Sequence, residues 1–106
     1  MKVRVVMRPS LATGFELAGL IVARADHGDG AAEVVRQWAG DAEVGVVLVD
    51  NELYRELPDD LLKRLDRQAV PVVVSVPAPR WDERSDAEAY IVEILRQAIG
   101  YRVRSR

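Results

Sequence analysis

Val44-Gly45-Val46-Val47-Leu48-Val49 is an apolar run without polar alternation, the pattern of a strand buried on both faces of a parallel sheet. A hairpin strand with one wet face would alternate instead. Working outward, Val72-Val73-Val74-Ser75-Val76, bracketed by Pro71 and Pro77, reads as the next strand, and Val3, Val5, Val6 and Met7 as the first. Ile21-Val22-Ala23-Arg24-Ala25 carries fewer large apolar residues and suits an edge position. Helical patterns fill the gaps. Leu11, Gly14, Phe15 and Ala18 share one face of a helix from about Leu11 that Ser10 can cap, with Gly19 as its stop. Asp26-His27-Gly28-Asp29-Gly30 reads as a turn, after which Ala31, Val34, Val35 and Trp38 repeat the stripe up to Gly40, where a left-handed cap residue is wanted. Glu52 to Leu57 makes a helical turn, and Pro58 fits the first turn of a helix that points Leu61, Leu62 and Leu65 inward. Alternating strands and helices joined by right-handed crossovers predict a small three-layer α/β domain with a four-stranded parallel sheet in the order 2-1-3-4 over residues 1-77.

Residues 78-85 form a proline-bearing linker, and residues 86-106 a final helix and a basic tail. Ser85 and Glu88 have capping-box spacing, and Ala87, Tyr90, Ile91, Ile94, Leu95 and Ala98 line one stripe that ends at Gly100. That stripe suits packing on the sheet and projecting away from it equally.

Composition excludes several classes. In 106 residues, 49% hydrophobic and 30% charged, there is enough apolar material for a core, which argues against wholesale disorder. A formal net charge of -2 provides no overall positive field for nucleic acid. The absence of cysteine removes disulfides, thiolate nucleophiles and thiolate-ligated metals, and the single His27 removes a multi-histidine site. No apolar run approaches the roughly 18 residues of a spanning helix. Arg4 interrupts the N-terminal apolar stretch, unlike a secretory signal, so a cytoplasmic protein is expected.

Ligands of doubly wound sheets gather at the carboxyl ends of the strands, here Met7-Arg8, Asp26, Asp50 and Ser75 to Pro77. Arg8-Pro9-Ser10-Leu11-Ala12-Thr13-Gly14 contains neither glycine-rich phosphate motif, and Ser10 and Ser75 do not stand in a nucleophile elbow. Asp50 stands where receiver domains carry a phosphoacceptor. The partners such a site requires are missing, because Met7-Arg8-Pro9 offers no further carboxylate for a divalent ion and Ser75 to Pro77 no lysine for the phosphoryl group. Capping of the following helical turn is the simpler role for Asp50. Asp26, His27 and Asp29 crowd one glycine turn, a poor geometry for a convergent metal shell. Trp81, between charged residues, either folds back or anchors a partner. Arg102, Arg104 and Arg106 form a basic tail, either solvated or set against an anionic partner.

Gly14-Phe15-Glu16-Leu17-Ala18-Gly19-Leu20, the strand entering Val49-Asp50-Asn51-Glu52, the strand Pro71-Val72-Val73-Val74 and the ending Ala98-Ile99-Gly100-Tyr101 together resemble the F subunit of V-type and A-type ATPases. The resemblance spans nearly the whole chain in order and spacing. It departs at Met7-Arg8-Pro9, where many members have a glycine and an acidic residue. It implies a receiver-like, Rossmann-like domain followed by a C-terminal helix, in a noncatalytic subunit of the rotary central stalk without a cofactor. The implied partners are the coiled-coil D subunit and the catalytic A/B head, and the implied role is to couple ATP hydrolysis or synthesis to ion translocation. The location would be cytoplasmic, peripheral to the membrane through the complex. Trp81, Tyr90, Ile91, Ile94, Leu95, Arg102 and Arg104 are the expected partner contacts, with Tyr90, Ile91, Ile94 and Leu95 forming a helix-to-helix seam. An uncovered edge strand at Ile21 to Ala25 is a second candidate docking surface. A stand-alone receiver-like signalling domain that uses Asp50 is the competing reading.

Overall fold

The computed structural model describes residues 1–77 and 92–98. The chain runs β1 (Lys2–Met7), α1 (Pro9–Leu17), β2 (Ile21–Arg24), α2 (Gly28–Ala39), β3 (Val44–Asp50), α3 (Asn51–Arg55), α4 (Asp59–Asp66) and β4 (Val72–Val76). Residues 92–98 are again helical. The four strands form one parallel sheet in the order β2-β1-β3-β4, as the alternation of elements predicts. All seven residues of β3 are buried, because this central strand has a helical layer on each side.

The two layers divide the core. On one face, α2, α3 and α4 bring Val35, Leu53, Leu61 and Leu65 against Val6, Val47 and Val49. On the other, Ala12 and Phe15 of α1, with Ile94 and Ala98 of the 92–98 helix, cover Val5, Met7, Leu48 and Val76. Successive residues of one strand serve opposite layers, which is the period-two geometry of a strand.

Local details depart from the sequence reading where long-range contacts intervene. Helix α1 begins at Pro9, so Ser10 lies inside it and the extended residue before it is Arg8. Proline has no N–H to leave unpaired in the first turn and its fixed φ is already helical. The covered face of α1 is Leu11, Ala12 and Phe15, while Ala18 is exposed. Gly19 does end the helix, with φ of 89° in the left-handed region. Asp26 to Gly30 is not a free turn, since Gly28 already opens α2. A Cβ on Gly28 would run into Glu56 Cβ and lie 2.9 Å from the Glu56 carbonyl oxygen, and the Gly28 N–H donates to Glu56 Oε1 at 3.0 Å. Glycine is there for close approach to the end of α3, a contact 28 residues away that no local pattern encodes. Gly40 has φ of −88° and is not a left-handed cap. Pro58 precedes α4 in an extended conformation.

Candidate functional site

The carboxyl ends of β1 and β3 bring Arg8 and Asp50 together. The Asp50 side chain is fully buried, and Arg8 is about a third exposed at 36%. Parallel pairing of β1 with β3 sets the two loops side by side, so a cation 42 residues away meets the carboxylate. Arg8 Nε donates to Asp50 Oδ2 and Nη2 to Oδ1 at 3.2 Å. The Arg8 N–H reaches Oδ2 at 3.3 Å, and the Glu52 N–H donates to Oδ1 at 2.9 Å. The last contact is the cap of α3 that the sequence suggests for Asp50.

Burial pushes the Asp50 carboxyl up. The hydrogen bond from the Arg8 side chain, the N–H groups of Glu52 and Arg8 and the charge of Arg8 outweigh it, holding the carboxyl below its ordinary value. In turn the hydrogen bond to Asp50, against the cost of burial and helped by the charges of Asp50 and Glu52, raises the Arg8 guanidinium. A phosphoacceptor needs an oxygen free to attack and a metal ion to neutralise the incoming phosphate. Here both oxygens are engaged by donors, and a guanidinium supplies the neutralising charge. The arrangement joins β1, α1, β3 and α3 mechanically. It has the makings of a structural clasp.

Asp26, His27 and Asp29 do not converge. His27 is the extended residue before α2, and no group of three or more metal-ligating side chains exists among the described residues. No helix among those residues is long and apolar enough to cross a membrane.

Among the described residues, exposed apolar side chains and a groove lie at the sheet edges. At β2, Ile21 is 58% exposed and Leu17 83%, with Arg24 Nη2 donating to Glu16 Oε1 at 2.5 Å beside them. At β4, a groove of about 840 Å³ is lined by Tyr54, Leu62, Leu65, Val73 and Ala98, with Asp66, Gln68 and Gln97 among its polar residues. Val72, Val73 and Val74 are only half-buried along it. Of the expected partner contacts, Ile94 is buried in the α1-side core and Leu95 packs half-buried against it. Trp81, Tyr90, Ile91, Arg102 and Arg104 lie outside the described residues, as does Arg106. The β4 groove itself escaped the sequence reading; its one signal is a strand of consecutive valines.

The fold and these surfaces define a doubly wound α/β domain with a neutralised acidic corner and apolar edges. The comparisons make this particular. A family model described as ATP synthase (F/14-kDa) subunit matches residues 3–95. The chain belongs to that family. The crystal structure of the F subunit of the V-type ATP synthase from Archaeoglobus fulgidus is similar, with a TM-score of 0.64 and 29% sequence identity over 71% of this chain and 95% of that one. No curated protein matches.

Proposed function

We propose that this chain is a noncatalytic central-stalk rotor subunit of a V/A-type ATPase. It binds the coiled-coil D subunit and helps couple ATP hydrolysis or synthesis in the catalytic A/B head to ion translocation. The observation that carries the reading is the family match over residues 3–95. The Arg8 clasp on Asp50 supports it, because it leaves the one receiver-like carboxylate with a structural task and weakens the signalling alternative. No cofactor enters this role, and membrane association is peripheral, through the complex, on the cytoplasmic side.

Residues 1-77 serve as the body, 78-85 as a linker and 86-106 as the C-terminal helix and basic tail, with residues 86-100 the coupling element. Trp81, Tyr90, Ile91, Ile94, Leu95, Arg102 and Arg104 are the partner contacts of the chain. Ile94 is covered by the chain's own core, so its use by a partner requires the helix of residues 92–98 to leave that face. Co-expression with the D subunit of the same genome, followed by size-exclusion chromatography with light scattering, tests the reading. A one-to-one complex that survives the column is expected. A chain that elutes as a monomer indifferent to D overturns it. Truncation after Arg84 is expected to weaken affinity for D or ATPase coupling, and unchanged values of both would remove the C-terminal contacts from the proposal.

A further inference from the structure

The Arg8–Asp50 pair closes one end of the floor on which the 92–98 helix sits. Alternation along β3 sends Val46 and Leu48 into the α1-side core and Val47 and Val49 into the other. Asp50 ends the strand in step with Val46 and Leu48, on the α1 side. On β4 its register partner is Val76, and on β1 Met7 follows the Val6–Val49 pair by one residue. Val76 and Met7 are fully buried in the cluster that Ile94 and Ala98 of the helix complete. A buried carboxylate and its guanidinium therefore stand in line with apolar residues that the helix covers.

An apolar cover gains little at such an end. Covering a valine or a methionine is favourable in proportion to its apolar area, whereas covering a charged pair strips water from it and returns no new hydrogen bond. Both oxygens of Asp50 already receive donors, and Arg8 keeps its contact with solvent. The helix brings little to offset this. Of residues 92–98 only Ile94 and Ala98 are buried, Leu95 is half-buried and Val92 is exposed. By contrast, β3 is buried along its whole length.

We propose that the Arg8–Asp50 pair limits how firmly the 92–98 helix docks, so that this helix lifts from the sheet as a unit of its own while the sheet corner stays closed. The hydrogen bonds of the pair run between β1, α1, β3 and α3 and do not involve the helix, which is why one contact can close the corner and weaken the seat. The behaviour belongs to the chain without partners and is independent of the rotary-ATPase reading.

Amide hydrogen exchange of the full chain separates the two motions, because β3 amides follow global opening and those of residues 96–98 follow lifting of the helix. In the wild type, residues 96–98 are expected to be about tenfold or more less protected than β3. Arg8→Met with Asp50→Leu makes the end of the floor apolar and is expected to slow exchange at residues 96–98 by about tenfold relative to β3, the scale on which apolar side chains improve on a buried pair. A pair that merely braced the seat would loosen the helix when removed. Arg8→Gln with Asp50→Asn removes the charges and keeps polar groups; a smaller slowing in the same direction is expected, and this variant decides the test if the apolar one does not fold. Unchanged or faster exchange at residues 96–98 relative to β3 overturns the proposal, as does equal protection of both segments in the wild type.

Discussion

The Asp50 corner and the β4 edge are neighbouring parts of one sheet and are finished in opposite ways. At the corner a buried carboxylate receives hydrogen bonds from the Arg8 side chain and from two backbone N–H groups. At the edge, half-buried valines face an open groove. The corner has the residue types of chemistry and the environment of a structural joint. The edge has ordinary residue types and the environment of an interface. Polar groups that fold together are satisfied because leaving one buried and unpaired is costly, whereas an apolar edge tolerates exposure until something covers it.

The contrast can be broken most forcefully at Arg8. Arg8→Ala strands a buried carboxylate and is expected to lower folding stability by about 2–3 kcal/mol, checked by urea denaturation. A double variant, Arg8→Met with Asp50→Leu, removes both charges and should recover most of that loss, since an apolar replacement of a buried pair is often near neutral. If the double variant is worse than the single one, the clasp does more than satisfy its own charges.

Acid sharpens the same point. The Asp50 carboxyl is held low in the folded chain, so its contribution is complete above the unfolded-state value of about 3.9 and is lost as pH falls through the lower folded value. The stability gap between wild type and Asp50→Asn is therefore expected to narrow below about pH 4 and to stay constant at neutral pH. Denaturation midpoints taken across that range check it.

Gly28 links the joint to the rest of its layer. Gly28→Ala places a methyl into the Glu56 backbone and is expected to cost about 1–3 kcal/mol, measured by thermal or chemical unfolding. The smallest effect belongs to the edge. Ser75→Lys, at an exposed position on β4, should move stability by no more than about 0.5 kcal/mol while weakening any complex formed through the groove, which a pull-down with the D subunit reads. Equal loss at Ser75 and Arg8 would erase the distinction between joint and interface.

The sheet was legible because each of its signals is local. Val44 to Val49 can be read as doubly buried without knowing what buries it, and Gly19 as a helix stop from its own backbone freedom. The capping role of Asp50 is equally local, reaching only two residues to Glu52. Other features involve distant partners. Asp26 to Gly30 reads as a turn from composition, but Gly28 is helical because Glu56 lies over it. Ser10 is a plausible cap by residue type, and Pro9 with the Arg8–Asp50 contact starts the helix earlier.

By itself, then, the sequence determined the class of fold, the strand order and family membership, because hydrophobic period, turn residues and motif order are properties of short stretches taken in sequence. Only the tertiary structure decided that Arg8 closes on Asp50, that Gly28 must lack a side chain, that Ile94 and Ala98 belong to the core, and that the valines of β4 border an open groove. Each of these depends on which surfaces meet after the chain has crossed over, and the free energy of such a contact is written at two distant positions at once.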